Sequence, residues 1–114
     1  MTKYKMSAPY REYLLEELKA DPEFAVLYLR DGFASLCNPE ERAVGMMAIR
    51  DVAQAYGGLA KIAQDAGISR EALYRALSPK GNPTLNTLLA VLGAVGMRLS
   101  IEPVNGEKAG LQAM

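Results

Sequence analysis

The chain has 114 residues, half of them apolar, and its 13 lysine and arginine side chains balance its 13 aspartates and glutamates. This length fits one domain, and the zero net charge gives no sign of a polyanionic partner for the chain as a whole. No apolar run reaches the roughly 18 to 20 residues that cross a membrane, and the N-terminus lacks a secretory signal, so we expect a cytoplasmic protein with no membrane partner.

The sequence contains no histidine and a single cysteine, Cys37. Histidine is the commonest general base and metal ligand, and a lone cysteine cannot form an internal disulfide. We therefore predict no enzyme activity, no metal site and no cofactor. Cys37 is interpreted as a small, half-buried apolar side chain.

Helical spacing of apolar residues recurs along most of the chain. Three Asx-Pro steps, at residues 21–22, 38–39 and 82–83, each precede such a run and provide typical helix starts. The third run is apolar over most of its circumference and is predicted to lie at the centre of a bundle, with Met46 and Met47 in the core. Helices are predicted over residues 10–19, 22–36, 39–56, 59–66, from 69 onwards, and over 85–96.

The pattern changes after residue 96. Met97, Leu99 and Ile101 alternate with polar side chains up to Pro103, which is typical of a strand. A lone strand in a helical chain leaves its backbone groups without partners. We therefore predict that this strand pairs with a second copy across a dimer through these three residues, and that residues 105–114 form a flexible tail.

Residues 58 to 83, GLAKIAQDAGISREALYRALSPKGNP, contain two short helical patterns separated by a glycine. Two helices that cross steeply need small side chains at the crossing and often a glycine in the turn. Ala63 and Gly67 occupy those positions. Five apolar positions are predicted to seal the corner, so the segment is predicted to be a helix-turn-helix: Ile62, Ala66, Ile68, Leu73 and Ala76.

The exposed side of the second of these helices has side chains that can read DNA. Rotation by about 100° per residue from buried Leu73 points Glu71 and Arg75 outward, with Arg70 and Tyr74 beside them. Arginine is the natural partner of guanine, and glutamate can accept from cytosine. Free amide groups near the cap, Ser69, can hold a phosphate. Tyr74 either touches phosphate through its hydroxyl or only packs over the corner.

The charge balance also differs along the chain. Residues 57–98 carry five basic and two acidic side chains, a net charge of +3, whereas residues 1–56 carry seven basic and nine acidic ones, a net charge of −2. The predicted helix-turn-helix is therefore locally basic. Because the field is modest, we expect affinity to depend on two half-sites bound together.

The segment that runs from GGLAKIAQDAGISREALYRALS to MRLSIEP resembles the addiction-module antidote family, the HigA-like antitoxins within the lambda-repressor-like helix-turn-helix superfamily. The resemblance covers residues 10 to 104, and its most specific parts are GISREALYRALS, KGNPTLNTLLAVL and MRLSIEP. It implies a homodimer that binds double-stranded operator DNA, represses its own operon and neutralises a HigB- or RelE-like toxin. It also implies base contacts by Arg70, Glu71 and Arg75, and phosphate contacts by Lys80 and Asn82.

The expected fold is an all-α helical bundle with a lambda-repressor-like helix-turn-helix and a short C-terminal strand that pairs across a dimer. Residues 1–37 are predicted to form an N-terminal helical extension, residues 38–104 the DNA-binding domain with its dimerisation strand, and residues 105–114 the tail. A toxin is not evident from the residues themselves, because Tyr13, Leu14, Phe24 and Tyr28 suit either a core or a partner. Two alternatives stay open: a phage or mobile-element regulator without a toxin, and a helical adaptor that binds only protein. A small enzyme is the weakest rival, because the chain has no histidine and no paired nucleophile and base.

Overall fold

The computed structural model describes residues 7–104, and these residues form six α-helices and no strand. A single 3₁₀ turn, Pro39–Glu41, precedes the third helix. No helix in this range is long and apolar enough to cross a membrane. The helices are α1 (Ala8–Ala20), α2 (Pro22–Leu36), α3 (Arg42–Ala55), α4 (Leu59–Ala66), α5 (Arg70–Ala76) and α6 (Leu85–Ala94).

Short polar side chains start the helices close to where the sequence predicts. Asp21, Ser69 and Thr84 each accept a hydrogen bond from the backbone N–H three residues further on. The third Asx-Pro step, at residues 82–83, lies in the loop, and α6 is capped by Thr84 instead. Asn38 also caps, but it begins the 3₁₀ turn, so α3 starts at Arg42, three residues later than predicted. The helical class of the fold is confirmed.

The central position predicted for α3 is also confirmed. This helix packs against α1, α2 and α4, and eight of its 14 residues are buried. Met46 lies in the core, 1% exposed, whereas the prediction for Met47 is wrong, since its side chain is 43% exposed. Met47 projects about 100° around the helix from Met46, toward a side where its side chain faces solvent rather than the core.

Two glycines allow α2 to approach α3 closely. A Cβ atom added to Gly32 would lie 2.6 Å from the Cβ of Ala48, and one added to Gly45 would collide with the carbonyl oxygen of Gly32. The two backbones therefore cross with no side chain between them at this point. One hydrophobic cluster runs through the whole bundle, from Leu14 in α1 to Val95 after α6.

A buried carboxylate joins the first three helices. Asp51 in α3 is 0% exposed and accepts hydrogen bonds from Arg11 Nη1 of α1 at 2.8 Å and from the Tyr28 hydroxyl of α2 at 2.7 Å. Burial first, and then the hydrogen bond to Asp51, raises the pKa of Tyr28 well above its ordinary value. The Tyr28 hydroxyl therefore keeps its proton at neutral pH and can donate it to Asp51.

Alkaline pH is expected to weaken this contact. Because the pKa of Tyr28 is higher in the folded chain than its ordinary value of 10.0, the unfolded chain loses that proton first as the pH rises. The contribution of Tyr28 to the free energy of unfolding is therefore complete below pH 10 and declines above it, by at most about 1.4 kcal/mol per pH unit. Denaturant unfolding at several alkaline pH values should show a smaller decline in Tyr28→Phe than in the wild type. The exposed Tyr74→Phe serves as control, and equal slopes in the two variants would contradict the prediction.

The predicted C-terminal strand is not formed: residues 97–103 have no regular secondary structure. A strand exists only when a neighbouring strand takes up its hydrogen bonds, and the other regular elements of residues 7–104 are helices. Met97 packs against the core, while Leu99 is 39% and Ile101 is 97% exposed. The segment borders a groove whose other side is formed by α2. The predicted tail, residues 105–114, lies outside the described residues.

Cys37 is exposed, which corrects the prediction of a half-buried side chain. It is the C-cap of α2, where the chain leaves the bundle for the 3₁₀ turn. Its Sγ lies 3.9 Å from the carbonyl oxygen of Phe33, one helical turn earlier. Position at a helix end, rather than residue type, decides its exposure.

Candidate nucleic-acid interface

A tight corner joins α4 to α5. Gly67 adopts the left-handed conformation, with φ 73° and ψ 31°, which residues with a Cβ rarely adopt. The N–H of Ile68 then donates to the carbonyl oxygen of Ala63 at 2.9 Å, which closes the end of α4. Ala63 and Ile62 are buried, as predicted for the crossing.

The orientation of α5 follows from this corner. Leu73 is 0% exposed, so the opposite side of the helix faces solvent. Four side chains on that side are exposed and line a shallow hollow: Arg70, Glu71, Tyr74 and Arg75. They lie together as the sequence predicts, and their contact with DNA stays a prediction.

Ser69 begins α5, and its hydroxyl accepts a hydrogen bond from the backbone N–H of Ala72 at 3.1 Å. One of the amide groups predicted to hold a phosphate is therefore already paired within the helix. The remaining contribution of Ser69 is to fix where α5 starts, and hence where Arg70 and Glu71 project.

Lys80 and Asn82 lie in the loop that follows α5, and both are exposed. Gly81 between them donates its N–H to the carbonyl oxygen of Ser78 at 2.8 Å. A Cβ at Gly81 would lie 2.6 Å from the carbonyl carbon of Ala76 and the carbonyl oxygen of Arg75. The loop is thus held against the C-terminal end of α5, which keeps Lys80 and Asn82 next to that helix.

A further basic residue reaches this surface from α3. The guanidinium carbon of Arg50 lies 5.6 Å from the centroid of the Tyr74 ring, and that of Arg70 lies 5.9 Å from the same centroid. Sequence reasoning missed Arg50, because spacing within α3 carries no information about which neighbouring helix a given side chain meets. In the described part of the chain, neither arginine forms an ion pair with a carboxylate.

The surface formed by Arg50, Arg70, Glu71, Tyr74 and Arg75 is called the α5 face below. The charged side chains that α5 contributes to this face have a net charge of +1, from Arg70, Glu71 and Arg75. Arg50 raises the net charge of the face to +2. Arginine side chains grouped around an aromatic ring can bind an anionic ligand such as the sugar-phosphate backbone of a nucleic acid. Among residues 7–104, no group of three cysteine or acidic side chains is placed to hold a metal ion.

Comparison with known proteins gives two matches. A sequence model of the family described as "Probable addiction module antidote protein" matches residues 11–103. A protein of Haemophilus influenzae, described only as an uncharacterized protein, is 32% identical over 97 residues, which cover 85% of this chain and 95% of the relative. No solved structure gives a significant match.

Proposed function

Because the chain belongs to the family of probable addiction module antidote proteins, we propose that it is the antitoxin of a type II toxin-antitoxin module and the repressor of its own operon. In this proposal α4 and α5 act as a helix-turn-helix, with α5 placed in the major groove of operator DNA. The protein acts in the cytoplasm by binding, not by catalysis.

The observation that carries the DNA-binding proposal is the α5 face. Leu73 and the corner fix one side of α5 in the core, so the outward side chains are presented on a rigid support. Arg70 and Arg75 are proposed to donate to guanine, and Glu71 to accept from cytosine. Lys80 and Asn82, held at the end of α5, are proposed to contact phosphate.

We also propose that the protein binds DNA as a homodimer. Met97 donates its N–H to the carbonyl oxygen of Leu92 at 2.8 Å, but within residues 7–104 the backbone groups of residues 98–102 form no such bond, and Leu99 and Ile101 are exposed. Antiparallel pairing of this segment with the same segment of a second copy would give its backbone groups hydrogen-bond partners and cover its exposed apolar side chains. It would also create the strand that one chain lacks. Met97, which packs on its own core, anchors each segment to its bundle.

The dimer proposal predicts that Ile101→Asp and Ser100→Pro each yield a monomer. The first puts a charge into the shared apolar contact, and the second removes a backbone donor from the strand pair. Sedimentation of the purified full chain measures the change. Leu85→Asp, at a 61% exposed apolar position on α6, is the matched control. A dimer that survives Ile101→Asp but dissociates in Leu85→Asp would place the contact on α6 instead.

For the toxin, the exposed side of α1 is the proposed binding surface. Tyr10 and Tyr13 of α1 are 54% and 58% exposed. By contrast, Leu14 on the same helix is buried, and Tyr28 on α2 is partly buried against the core. Exposed glutamates accompany the tyrosines, at positions 12 and 16. Aromatic side chains surrounded by acids suit a basic partner protein such as a RelE-like toxin.

The reading frame next to this gene tests the antitoxin role. A neighbour that encodes a small basic protein, arrests growth when expressed alone and co-purifies with this chain is the expected result. Tyr13→Ala should then weaken the complex without affecting DNA binding. A neighbour without toxicity would favour a phage or mobile-element regulator, and a chain that binds no DNA upstream of its own gene would favour a protein adaptor.

A further inference from the structure

Arg50 and Arg70 belong to different helices, yet both guanidinium groups lie over one tyrosine ring. The distances to the Tyr74 centroid are 5.6 Å for Arg50 and 5.9 Å for Arg70, within the range of cation–π attraction. Tyr74 itself is 41% exposed, so the three side chains meet at the surface rather than in the core. Both guanidinium carbons therefore lie within 6 Å of one ring centroid at the protein surface.

The α5 face carries one acidic side chain, Glu71, against three arginines, so its net charge of +2 favours an anion. The described residues form two ion pairs, Arg11 with Asp51 and Lys61 with Asp65, and neither involves this surface. Aromatic attraction is worth about 0.5 to 1 kcal/mol at an exposed site, which orients a guanidinium but does not neutralise it. An external anion completes the arrangement.

On the basis of the proposed DNA binding, we propose that Arg50 is a phosphate-binding residue outside the helix-turn-helix, and that the Tyr74 ring is a positioning residue for both arginines. Arg70 projects from the first turn of α5 and reaches base edges. Arg50 projects from α3 toward the same groove edge and contacts the DNA backbone. The footprint thus includes the central helix of the bundle as well as α4 and α5.

The two roles predict different effects on binding. Loss of a phosphate contact weakens binding by about the same factor on every sequence and lowers the slope of log affinity against log salt by about 1. Removal of the Tyr74 ring frees both arginines from their positions. DNA affinity then falls, and base preference relaxes at the position that Arg70 is proposed to contact. These readouts separate a DNA contact from a purely structural side chain.

The test uses the full chain and two DNA duplexes of equal length, one from directly upstream of its own gene and one of random sequence. Arg50→Gln is expected to weaken binding to both about three- to tenfold, with a salt slope lower by about 1. Arg50→Lys, which keeps the charge, should retain the wild-type slope. Arg30→Gln, an equal loss of charge at an exposed position of α2, is the control and should leave the slope unchanged.

For the ring, Tyr74→Phe should bind both duplexes as the wild type does, while Tyr74→Leu should lose affinity and preference between them. Thermal unfolding of each variant checks that the fold is intact. If Arg50→Gln keeps the wild-type salt slope while Arg75→Ala weakens DNA binding, the proposed role of Arg50 is overturned. The proposal that the protein binds DNA is then unaffected. Equal losses in Tyr74→Phe and Tyr74→Leu overturn the role of the ring. Failure of the wild type to bind either duplex overturns both this inference and the proposed function.

Discussion

Arg11→Met is expected to lower the free energy of unfolding by about 2 kcal/mol, somewhat less than for a fully buried pair because the Arg11 side chain is 35% exposed. The substitution keeps an apolar stem of similar length on α1 but removes the guanidinium that lies 2.8 Å from Asp51. The carboxylate then remains at a position with 0% exposure, with the Tyr28 hydroxyl still donating to it. A buried charge without its counter-charge is among the costliest defects that a fold can carry. Urea denaturation of wild type and variant at neutral pH measures the loss.

The exposed ion pair of α4 provides the matched control. Lys61 and Asp65 lie 2.9 Å apart, but their side chains are 59% and 40% exposed. Lys61→Met should therefore cost less than about 1 kcal/mol, because solvent replaces the lost partner. Adding Asp51→Asn to Arg11→Met should recover part of the stability by removing the uncompensated charge. If Arg11→Met and Lys61→Met lower the free energy of unfolding by similar amounts, the burial of Asp51 does not make its ion pair more important for stability than an exposed one.

The second large effect concerns DNA. Under the proposed function, Arg70→Ala and Arg75→Ala are each expected to weaken operator binding by about 1 to 3 kcal/mol and to relax preference at the base that each arginine is proposed to read. Both side chains are exposed, so stability should change by less than about 0.5 kcal/mol. Mobility-shift titration against the upstream duplex and single-base variants of it measures both quantities.

Arg30→Ala on α2 removes the same charge at another exposed site and should change operator affinity only slightly. The double variant Arg70→Ala, Arg75→Ala should bind upstream and random duplexes alike. If it instead retains wild-type affinity for the upstream duplex, the α5 face is not the surface that reads DNA.

Local signals predicted most of the fold. Helix starts were readable because Asp21, Asn38 and Ser69 supply side-chain oxygens where the backbone has free N–H groups. The corner was readable because Gly67 permits a conformation that other residues rarely adopt. The outward side of α5 followed from helical rotation alone.

The missed features depend on contacts between distant residues. Asp51 meets Arg11 across 40 positions of sequence, and Arg50 meets Tyr74 across a helix boundary. The sequence did contain one sign that Asp51 is buried. This residue lies on α3 among apolar residues that form the core, Ile49, Val52 and Ala55. The predicted strand at residues 97–102 was wrong for the converse reason. Alternating apolar residues show that a segment could pair as a strand, but they do not show whether the same chain contains a partner strand.

The contacts of α3 have a consequence for how such proteins can diversify. Arg11 reaches Asp51 from α1, and α2 crosses α3 where Gly32 and Gly45 leave no room for a side chain. A chimaera of two relatives joined near residue 38 would combine surfaces that were never selected to fit each other. Under the proposed function, new operator sequences are therefore expected to arise through point changes on the α5 face, and new toxin specificities through point changes at exposed positions of α1, while the packing of helices α1 to α3 is kept as one block.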